Sequence, residues 1–461
     1  MNVSDIMINL NNINLEELIP LLSILTQDDK VLYESIGYYV PTIYPELCEK
    51  YPRLKEMSIL DKMFICKDTG FKHILAYYDA DKFIFVELIF VDGDFFLPSE
   101  KCKHESMIIN MVKSTEDNYI NQNFSSLLLS PPDNIKMRLL KNIIDKYNEP
   151  FIYELFMDWY RFVDYGFYAF DKETILKIIN QKSDEEKKLT IEKIHHFPDI
   201  VTIYRGEGNK STSYENAYSW TTDINVANFF ALRHNDGTKA RIITATINKS
   251  DIIEFIDGRN EFEIIILPEH VEIVEILDLF SLDETIKYLS DVLHLIDEYK
   301  YNLKYELDFP TDCNGHDKLH TLRVLYNAAC LCTLKNLSVD DTSTILNACL
   351  YHDIGRINDK EDSTHGKRSK IIFNQCEDFN EEVEFLIKYH CLDDKLGHDF
   401  IEKSPFSDKN KLTLMYNIIK DADALDRFRF GIRNLNIDFI RLEESKKLML
   451  FARMAIDGIK I

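Results

Sequence analysis

GHDKLHTLRV, the sequence of residues 315–324, decides the fold of the C-terminal half of this chain. Its second histidine, His320, lies on a helical pattern, and Arg-Val follows at residues 323–324. With this arrangement we expect a His-Asp pair further along the chain. His352 and Asp353 supply that pair, and the run DADALD at residues 421–426 supplies a late aspartate on another helix. Imidazole and carboxylate groups together form a ligand set that holds Mn, Fe, Co, Ni, Zn or Mg. The stretch therefore predicts a divalent metal centre shared by several helices.

Apolar residues at helical spacing accompany each candidate ligand. Asp423 follows apolar residues at positions 412, 416 and 419, so all four share one face of a helix. His352 and His390 end similar stripes, and His320 extends another. Burying such side chains without partners would cost about 2–7 kcal/mol for each neutral polar group. A shared metal ion removes that cost, as in histidine–carboxylate bundles built on facing helices.

On these motifs the C-terminal half resembles the HD-domain metal-dependent phosphohydrolases. The resemblance implies an all-α helical bundle with metal ligands in a fixed order along the chain. The matching residues are His320, His352, Asp353 and Asp423, and His365 and His390 correspond to further histidines of some members. These six ligands exceed the needs of one ion, so a second ion is expected beside the first.

Other polar residues of this half are candidates for ligand, supporting and phosphate-binding roles. Asp421 competes with Asp423 for the last ligand position, and we favour Asp423 because it lies on the apolar stripe. His316 lies one helical turn before His320 and is a candidate support for it. The metal is expected to polarise a phosphoester oxygen and activate water, with Asp353 counted as catalytic. The implied substrate is a phosphorylated small molecule, a nucleotide or a phosphodiester. The candidate phosphate contacts are Lys318, Arg323, Arg356 and Lys367.

Composition narrows the possible partners. The chain has 461 residues, a formal net charge of −24 and 45% hydrophobic residues, which fits two or three globular domains. This acidity disfavours nucleic acid as a partner without excluding a local basic groove, because non-specific binding relies on Lys and Arg. No apolar run approaches about 20 residues, so we expect no membrane partner. The first residues lack a signal-peptide pattern, so we expect a cytoplasmic location.

Two prolines, Pro131 and Pro132, separate a first α+β region from a helix-rich stretch. The first region combines a short helix at residues 15–25 with strands between residues 71 and 97, and its role is unknown. Beyond the prolines, three helices precede a β-rich core, and a charged connector near Ser281 leads into the helical bundle. We therefore predict an α+β multidomain chain that ends in an all-α bundle. The predicted domains are residues 1–130, 131–280 and 281–461.

Three short motifs follow one another in the β-rich core. A β-branched strand ends in RG at residues 205–206, and SWT at residues 219–221 comes next. The third motif, EFE at residues 261–263, opens an apolar run. Because side chains alternate along a strand, we expect Glu261 and Glu263 to point to the same face. Two adjacent carboxylates beside an isoleucine-rich run are unfavourable unless a site uses them.

The order of these motifs resembles the R-S-E class of mono-ADP-ribosyltransferases. The resemblance implies a β-rich ADP-ribosyltransferase-like core with a helical subdomain and with NAD as the substrate. Arg205 would contact the phosphates or ribose of NAD, and Gly206 would hold the nicotinamide amide through its backbone. Ser219 would orient Glu263, with support from Thr221. Glu263 would stabilise the oxocarbenium-like transition state as nicotinamide leaves.

The same resemblance bears on the acceptor of ADP-ribose. It covers about residues 199–276, and it departs from the family pattern where SWT stands in place of Ser-Thr-Ser. Glu261 would activate the acceptor, and in the family the Glu-x-Glu form goes with arginine, so we expect a protein acceptor. Phe229 or Phe230 would stack on nicotinamide, although both residues also suit core packing.

Together the two halves predict a bifunctional enzyme, an NAD-dependent mono-ADP-ribosyltransferase joined to a metal-dependent phosphohydrolase. Such a pair fits a toxin-like or defence effector. Two alternatives stay open: the acceptor is nucleic acid or a nucleotide, or the transferase-like region is a non-catalytic NAD sensor that regulates the HD half. We expect the two chemistries to be separable, because one needs NAD and the other a metal.

Overall fold

The computed structural model describes four strands near the N-terminus and residues 113–129, 133–161, 170–307, 309 and 315–458. The chain divides into two compact units, Met1–Leu189 and Thr190–Ile461. The first contains a small sheet and helices, and the second contains a six-stranded sheet and a helical region. The architecture is therefore α+β, as predicted. Among the described residues, no helix is both long and apolar enough to cross a bilayer.

The first unit contains an antiparallel sheet whose four strands lie in chain order. The strands are β1 (Leu18–Pro20), β2 (Met63–Cys66), β3 (Leu75–Asp79) and β4 (Ile84–Leu88). β3 and β4 lie within the stretch predicted as strands. The helix predicted at residues 15–25 is wrong at residues 18–20, which pair with β2 instead, and Pro20 is tolerated there because β1 is an edge strand. The strand predicted near residues 94–97 lies outside the described residues.

Helices follow this sheet along the chain. After a helical stretch at residues 113–120 they are α1 (Phe124–Leu127), α2 (Asp133–Lys146), α3 (Phe151–Tyr160), α4 (Lys172–Asn180) and α5 (Asp184–Ile194). The three helices predicted after the prolines are confirmed as α2, α3 and α4. α4 begins where the Asp171 side chain accepts a hydrogen bond from the Thr174 amide, which satisfies a backbone donor at the helix start. The division between the two units falls within α5.

The second unit begins with a six-stranded antiparallel sheet in the order β10-β7-β5-β6-β9-β8. The strands are β5 (Ile200–Gly208), β6 (Ser219–Thr221), β7 (Ala240–Asn248), β8 (Glu254–Ile256), β9 (Glu263–Ile265) and β10 (Glu272–Leu279). The RG and SWT motifs therefore lie on β5 and β6, and the last glutamate of the EFE motif begins the neighbouring strand β9.

The two faces of this sheet bury different residues. One face contributes Ile203, Trp220 and Ile264 to a local apolar core. The other face is covered by α6 (Ile224–Leu232), which approaches β5 so closely that a Cβ on Gly206 would lie 1.8 Å from the Ala227 carbonyl oxygen. Only glycine fits at this position, so the glycine of the RG motif has a packing role in the fold.

The helical region contains ten helices within the described residues. They are α7 (Leu282–Ser290), α8 (Leu293–Tyr305), α9 (Lys318–Leu334), α10 (Val339–Tyr351), α11 (His365–Cys376), α12 (Glu381–Tyr389), α13 (Asp394–Lys403), α14 (Lys409–Leu425), α15 (Glu443–Lys447) and α16 (Met449–Gly458). Side chains of Asp317 and Ser338 accept hydrogen bonds from backbone amides at the starts of α9 and α10. The C-terminal half is therefore all-α, as predicted.

The six-stranded sheet and the helical region share one apolar core. Ala231 of α6 and Ile242 of β7 belong to the same buried cluster as Ile419 of α14. The two parts are also joined by backbone hydrogen bonds, since the Phe280 amide donates to the Lys447 carbonyl at 2.8 Å. The sheet and the helices thus form a single packed unit, while the three-domain division of the sequence stays a prediction.

Candidate functional site

The ends of several helices meet at one polar cluster in the helical region. His320 lies in the first turn of α9, and His352 and Asp353 directly follow α10. His365 begins α11, and His390 directly follows α12. Asp423 lies in the last turn of α14. Helix ends place short polar side chains at the edge of an apolar core, which is the geometry that the stripe pattern predicts.

The first half of the cluster is built around the ring of His320. Its Nε2 atom lies 3.1 Å from Nε2 of His352, 3.4 Å from Oδ2 of Asp353 and 3.5 Å from Oδ1 of Asp423. His352 Nε2 is itself 3.5 Å from Oδ2 of Asp353. Two imidazole nitrogens and two carboxylate oxygens thus face a common point.

The second half of the cluster uses the other oxygen of Asp353. Oδ1 of Asp353 lies 3.0 Å from Nε2 of His365 and 3.5 Å from Nε2 of His390, and these two nitrogens are 3.0 Å apart. Cys391 lies beside them, with one ligand atom from each of Cys391, His365 and His390 within 4.8 Å of the others. Asp353 therefore faces two imidazole pairs with its two oxygens, as a carboxylate shared by two metal ions would.

Backbone carbonyls fix the tautomers of three of these rings. In His352, His365 and His390, Nδ1 lies 2.7, 2.5 and 2.7 Å from the carbonyl oxygen of the residue three positions earlier. A carbonyl can only accept a hydrogen bond, so each Nδ1 carries the proton. In a neutral ring the lone pair is then on Nε2, which points into the cluster. Metal-binding histidines have this arrangement, in which the outer nitrogen donates to a carbonyl or carboxylate.

A buried carboxylate, Asp426, holds the fourth ring. Its Oδ2 atom lies 2.7 Å from Nδ1 of His320, and its Oδ1 atom accepts from Nε of Arg323 at 2.5 Å. Arg429 Nη1 lies 3.2 Å from the same carboxylate. The sequence motifs did not predict a role for Asp426. A signal was present, because Asp426 lies three residues after Asp423 and so on the same side of the helix.

Burial and the neighbouring ionised carboxylates have opposite effects on the pKa values of the histidines in this cluster. Burial lowers the pKa of His320, but its hydrogen bonds to Asp353 and Asp426 outweigh this effect and raise the pKa to about 8. The same balance, mainly between burial and Asp353, raises the pKa of His365 to about 9. Burial dominates at His352 and lowers its pKa to about 3. Burial opposes ionisation of Asp353, but the surrounding imidazoles hold its pKa well below the usual range. The ionised carboxylates therefore stabilise positive charge in the cluster, either as protons on His320 and His365 or as a bound cation.

The cluster opens to solvent on one side. The side chain of Asp423 is 35% exposed, whereas those of the other five candidate ligands are at most 2% exposed. Asp421, the rival for the last position, is fully buried, and its carboxylate accepts from the backbone amides of Arg441 and Leu442. Asp421 thus anchors the chain after α14, and Asp423 is the aspartate that faces the cluster.

The candidate phosphate contacts have different surroundings. Arg356 donates through Nε to Oδ1 of Asp353 at 2.9 Å, which places a cation at the cluster. Arg323 is held by Asp426, and Lys318 lies 3.3 Å from the Lys304 carbonyl. Lys367 is exposed. His316 lies 2.8 Å from Oδ1 of Asp359, and its ring centroid is 5.5 Å from that of His320, so its role as a support for His320 stays a prediction.

A second cluster lies where β5, β6 and β9 neighbour one another. The Ser219 hydroxyl of β6 donates a short hydrogen bond to Oε1 of Glu263 on β9, and Glu263 is buried. Arg205 of β5 donates to the backbone carbonyls of Ser219 and Thr212, each at 2.8 Å. The structure thus brings Ser219 and Glu263 together and uses Arg205 to hold the strand that carries Ser219.

Glu261 departs from the predicted strand geometry. β9 begins only at Glu263, and Phe262 has a φ of 47°, so the alternation expected for a strand does not apply to Glu261. Thr221 fixes this bend through a hydrogen bond from its hydroxyl to the Glu261 carbonyl at 2.6 Å. The expectation that regular strand alternation aligns the two glutamates is therefore wrong. The Glu261 side chain instead lies 3.1 Å from Arg259.

The aromatic candidates for nicotinamide contact lie on α6. Phe229 and Phe230 are half-buried, and their ring centroids are 5.2 Å apart. Phe229 also lies under Arg433 of the helical region, whose guanidinium carbon is 4.4 Å from the ring centroid. Phe230 therefore packs against the ring of Phe229. A contact of either ring with nicotinamide stays a prediction.

Comparison with known proteins supports one of the two resemblances and not the other. No curated protein and no solved structure matches this chain. The resemblance of the middle region to ADP-ribosyltransferases thus has no support from these comparisons. Residues 319–427 match the family model of the HD domain, a stretch that includes His320, Asp423 and every candidate metal ligand between them. This match supports a metal-dependent phosphohydrolase in the C-terminal half.

Proposed function

We propose that the chain hydrolyses a phosphoester bond of a nucleotide at the cluster centred on Asp353, in a reaction that requires a divalent metal. The observation that carries this proposal is the pair of Asp353 oxygens, each facing two imidazole nitrogens. Three of these rings have their outer nitrogens fixed by carbonyls, so their lone pairs are aimed inward.

The donor set fits two divalent ions. One ion would be held by His320, His352, Asp353 and Asp423, and a second by Asp353, His365 and His390, with Cys391 adjacent. A divalent ion bound there polarises a phosphoester oxygen and lowers the pKa of water. Mixed imidazole and carboxylate ligands suit Mn, Fe, Co, Ni or Zn, and Mg to a lesser extent.

The chain's own residues contribute orientation and charge. Asp426 fixes the orientation of the His320 ring. Two arginines, Arg323 and Arg429, contact the Asp426 carboxylate and offset the cost of burying its negative charge. Arg356, at the Asp353 carboxylate, offers a guanidinium to the phosphoryl oxygens. Substrate enters on the side of Asp423, where the cluster is open to solvent.

An exposed aromatic residue beside His316 favours a nucleotide. Phe430 ends the short 3₁₀ helix Asp426–Phe430 and is 49% exposed. Its ring lies 4.2 Å from the Arg429 guanidinium carbon and 6.4 Å from the centroid of His316, one turn before His320. An exposed ring supported by a guanidinium is a surface on which a base stacks, a contact worth about 1–3 kcal/mol.

A substrate panel with purified chain and Mn²⁺ tests this function. We expect metal-dependent release of phosphate from nucleotides, abolished by a chelator, and slower hydrolysis of ribose 5-phosphate, which lacks the base. Phe430→Ala should raise KM for the nucleotide and leave ribose 5-phosphate unaffected. Phe439→Ala is the matched control, because Phe439 is also an exposed aromatic residue. Absence of hydrolysis across the panel with the metal bound would contradict the proposal.

We also propose a second function, mono-ADP-ribosyl transfer from NAD to arginine at Glu263. It is favoured by the hydrogen bond from Ser219 to the buried carboxylate of Glu263 and by the bond from Arg205 to the Ser219 carbonyl, which holds the strand that carries Ser219. A carboxylate fixed in this way stabilises the positive charge that develops on ribose as nicotinamide leaves. Glu261 would take the proton of the acceptor.

Labelled NAD distinguishes this second function from its alternatives. Incubation with mixed cell protein and RNA should put label on protein and release nicotinamide. Label on RNA would favour a nucleic-acid acceptor, and bound but unreacted NAD would favour a sensor. Release of nicotinamide should be lost in Glu263→Gln and retained in Glu269→Gln, a control at the other end of the same apolar run.

A further inference from the structure

Arg433 of the helical region reaches the carboxylate of Glu261. It lies in the short 3₁₀ helix Ile432–Asn434, and its Nη2 atom is 3.4 Å from Oε1 of Glu261. The flat face of its guanidinium covers the ring of Phe229 on α6, with the guanidinium carbon 4.4 Å from the ring centroid. A ring on one side and a carboxylate at one nitrogen fix the orientation of this group.

The exposure of Arg433 sets it apart from the arginines that hold the fold together. Its side chain is 45% exposed, whereas Arg323 and Arg441 are 7% and 19% exposed and each is bound to a buried aspartate. Arg259 also approaches Glu261, but it comes from the same loop, two residues earlier. Arg433 therefore combines an accessible guanidinium with a contact that a distant part of the chain makes to Glu261.

We propose that Arg433 is itself an acceptor of ADP-ribose, modified by the sheet site of its own chain. This inference rests on the proposed transfer reaction, in which Glu261 takes the proton of an acceptor arginine. The same Glu261 carboxylate already lies beside a guanidinium nitrogen of Arg433, so this residue needs no diffusion to reach it.

The reaction balances without a further reactant. Nη2 of Arg433 attacks the C1 carbon of the nicotinamide ribose of NAD, and the bond between C1 and the nicotinamide nitrogen breaks. The bonding electrons leave with nicotinamide, which becomes neutral. The proton lost by the guanidinium passes to Glu261 and then to solvent. The products are ADP-ribosylated Arg433, nicotinamide and one proton, while Glu263 stabilises the positive charge on ribose in the transition state.

Tryptic mass spectrometry of the full chain after incubation with NAD tests the proposal directly. A modified arginine is not a trypsin site, so cleavage after Arg433 should be lost. The peptide of residues 430–441 should appear with the added mass of one ADP-ribosyl group. Arg433→Lys should abolish this label. Arg427→Lys, which changes an exposed arginine of the preceding 3₁₀ helix, should retain it.

A mixing experiment tests whether the transfer occurs within one chain. Arg433→Lys, which keeps Glu263, is incubated with NAD and an excess of Glu263→Gln, which keeps Arg433. We expect no label on residues 430–441 of the Glu263→Gln chains, because the proposed acceptor is delivered only to its own site. In the wild-type chain the rate of labelling should not change with protein concentration, and labelling of the Glu263→Gln chains would contradict transfer within one chain.

Failure of this inference can be distinguished from failure of the transfer reaction. Agmatine, a soluble guanidine, is added as an external acceptor, and nicotinamide release is measured. If nicotinamide is released and agmatine is labelled while residues 430–441 stay unmodified, the inference is overturned and the transfer function stands. Label on Arg259 in place of Arg433 overturns it equally. If neither nicotinamide release nor label is detected, both proposals are overturned.

Discussion

Asp353→Asn is the substitution that tests the candidate metal centre most directly. Its two oxygens face different imidazole pairs, at 3.4–3.5 Å on one side and 3.0–3.5 Å on the other. Asparagine keeps the volume of the side chain but carries no charge and replaces one acceptor oxygen with a donor. Because the residue is shared, we expect the variant to lose both ions, not one.

The size of the effect can be worked out. Groups that merely support metal ligands are worth about 10–100-fold in metal affinity, so a shared ligand should be worth at least about 100-fold. At a metal concentration of about 100 times Kd, binding stabilises the folded chain by about 2.7 kcal/mol. If Kd rises 100-fold, the same concentration stabilises it by only about 0.4 kcal/mol.

The assay combines metal content by plasma mass spectrometry with unfolding in the presence and absence of Mn²⁺. The wild type should contain up to two ions per chain, and Mn²⁺ should raise its unfolding midpoint. Asp353→Asn should lose both responses. His390→Ala, which removes a ligand from one side only, should lose one ion and keep the other. The reasoning is refuted if Asp353→Asn keeps two ions, or if His390→Ala loses both.

Three further predictions follow from contacts in the second unit. Asp426→Asn should lower the free energy of unfolding by about 3–5 kcal/mol, because the buried Arg323 and the partly buried Arg429 lose their common anion. Urea denaturation measures this change, and an unchanged midpoint would contradict it. Glu263→Gln should reduce ADP-ribosyl transfer at least about 10²-fold and leave phosphate hydrolysis unchanged. A chelator should stop phosphate hydrolysis and leave ADP-ribosyl transfer unchanged. If either treatment stops both activities, the two sites are coupled. Burial opposes ionisation of Asp394, yet hydrogen bonds from Arg441 and Lys420 lower its pKa to about 2. Its ionised form therefore stabilises the fold above the unfolded-state pKa of about 4, so Asp394→Asn should lower the melting temperature at neutral pH. This difference from the wild type should disappear as the pH falls from about 4 to about 2, and its persistence there would refute the assignment.

Helical periodicity made much of the histidine and aspartate cluster predictable. A polar residue that continues an apolar stripe is expected beside the apolar core, and His320, His352, His390 and Asp423 all lie at helix ends next to that core. The role of Asp426 was harder to predict. It depends on Arg323, which comes from another helix, and sequence spacing does not report a contact between residues 103 positions apart.

The middle region shows the limit of reasoning from strand alternation. Ser219 and Glu263 lie in regular, paired strands, so motif order was a sound guide to their neighbourhood. Glu261 lies in a bend where Asn260 and Phe262 both have positive φ, although neither is glycine. Such a conformation is held by surrounding contacts and leaves no mark in the residue types. The strand at residues 18–20 was also difficult to predict. Its extended backbone depends on pairing with β2, and the local sequence does not show that pairing.

The shared core of the sheet and the helical region also sets an order of events during translation. The Ile437 amide donates to the side chain of Asn225 on α6 at 2.8 Å, and the Phe280 amide donates to the Lys447 carbonyl. While residues 432–447 are still inside the ribosome, Asn225 of α6 and Phe280 after β10 lack these partners, although the strands of the sheet have already emerged. The proposed NAD-consuming site is therefore completed only after the phosphohydrolase ligands have been synthesised. The contacts that surround the proposed sheet site are thus complete only in chains that already contain all six candidate metal ligands.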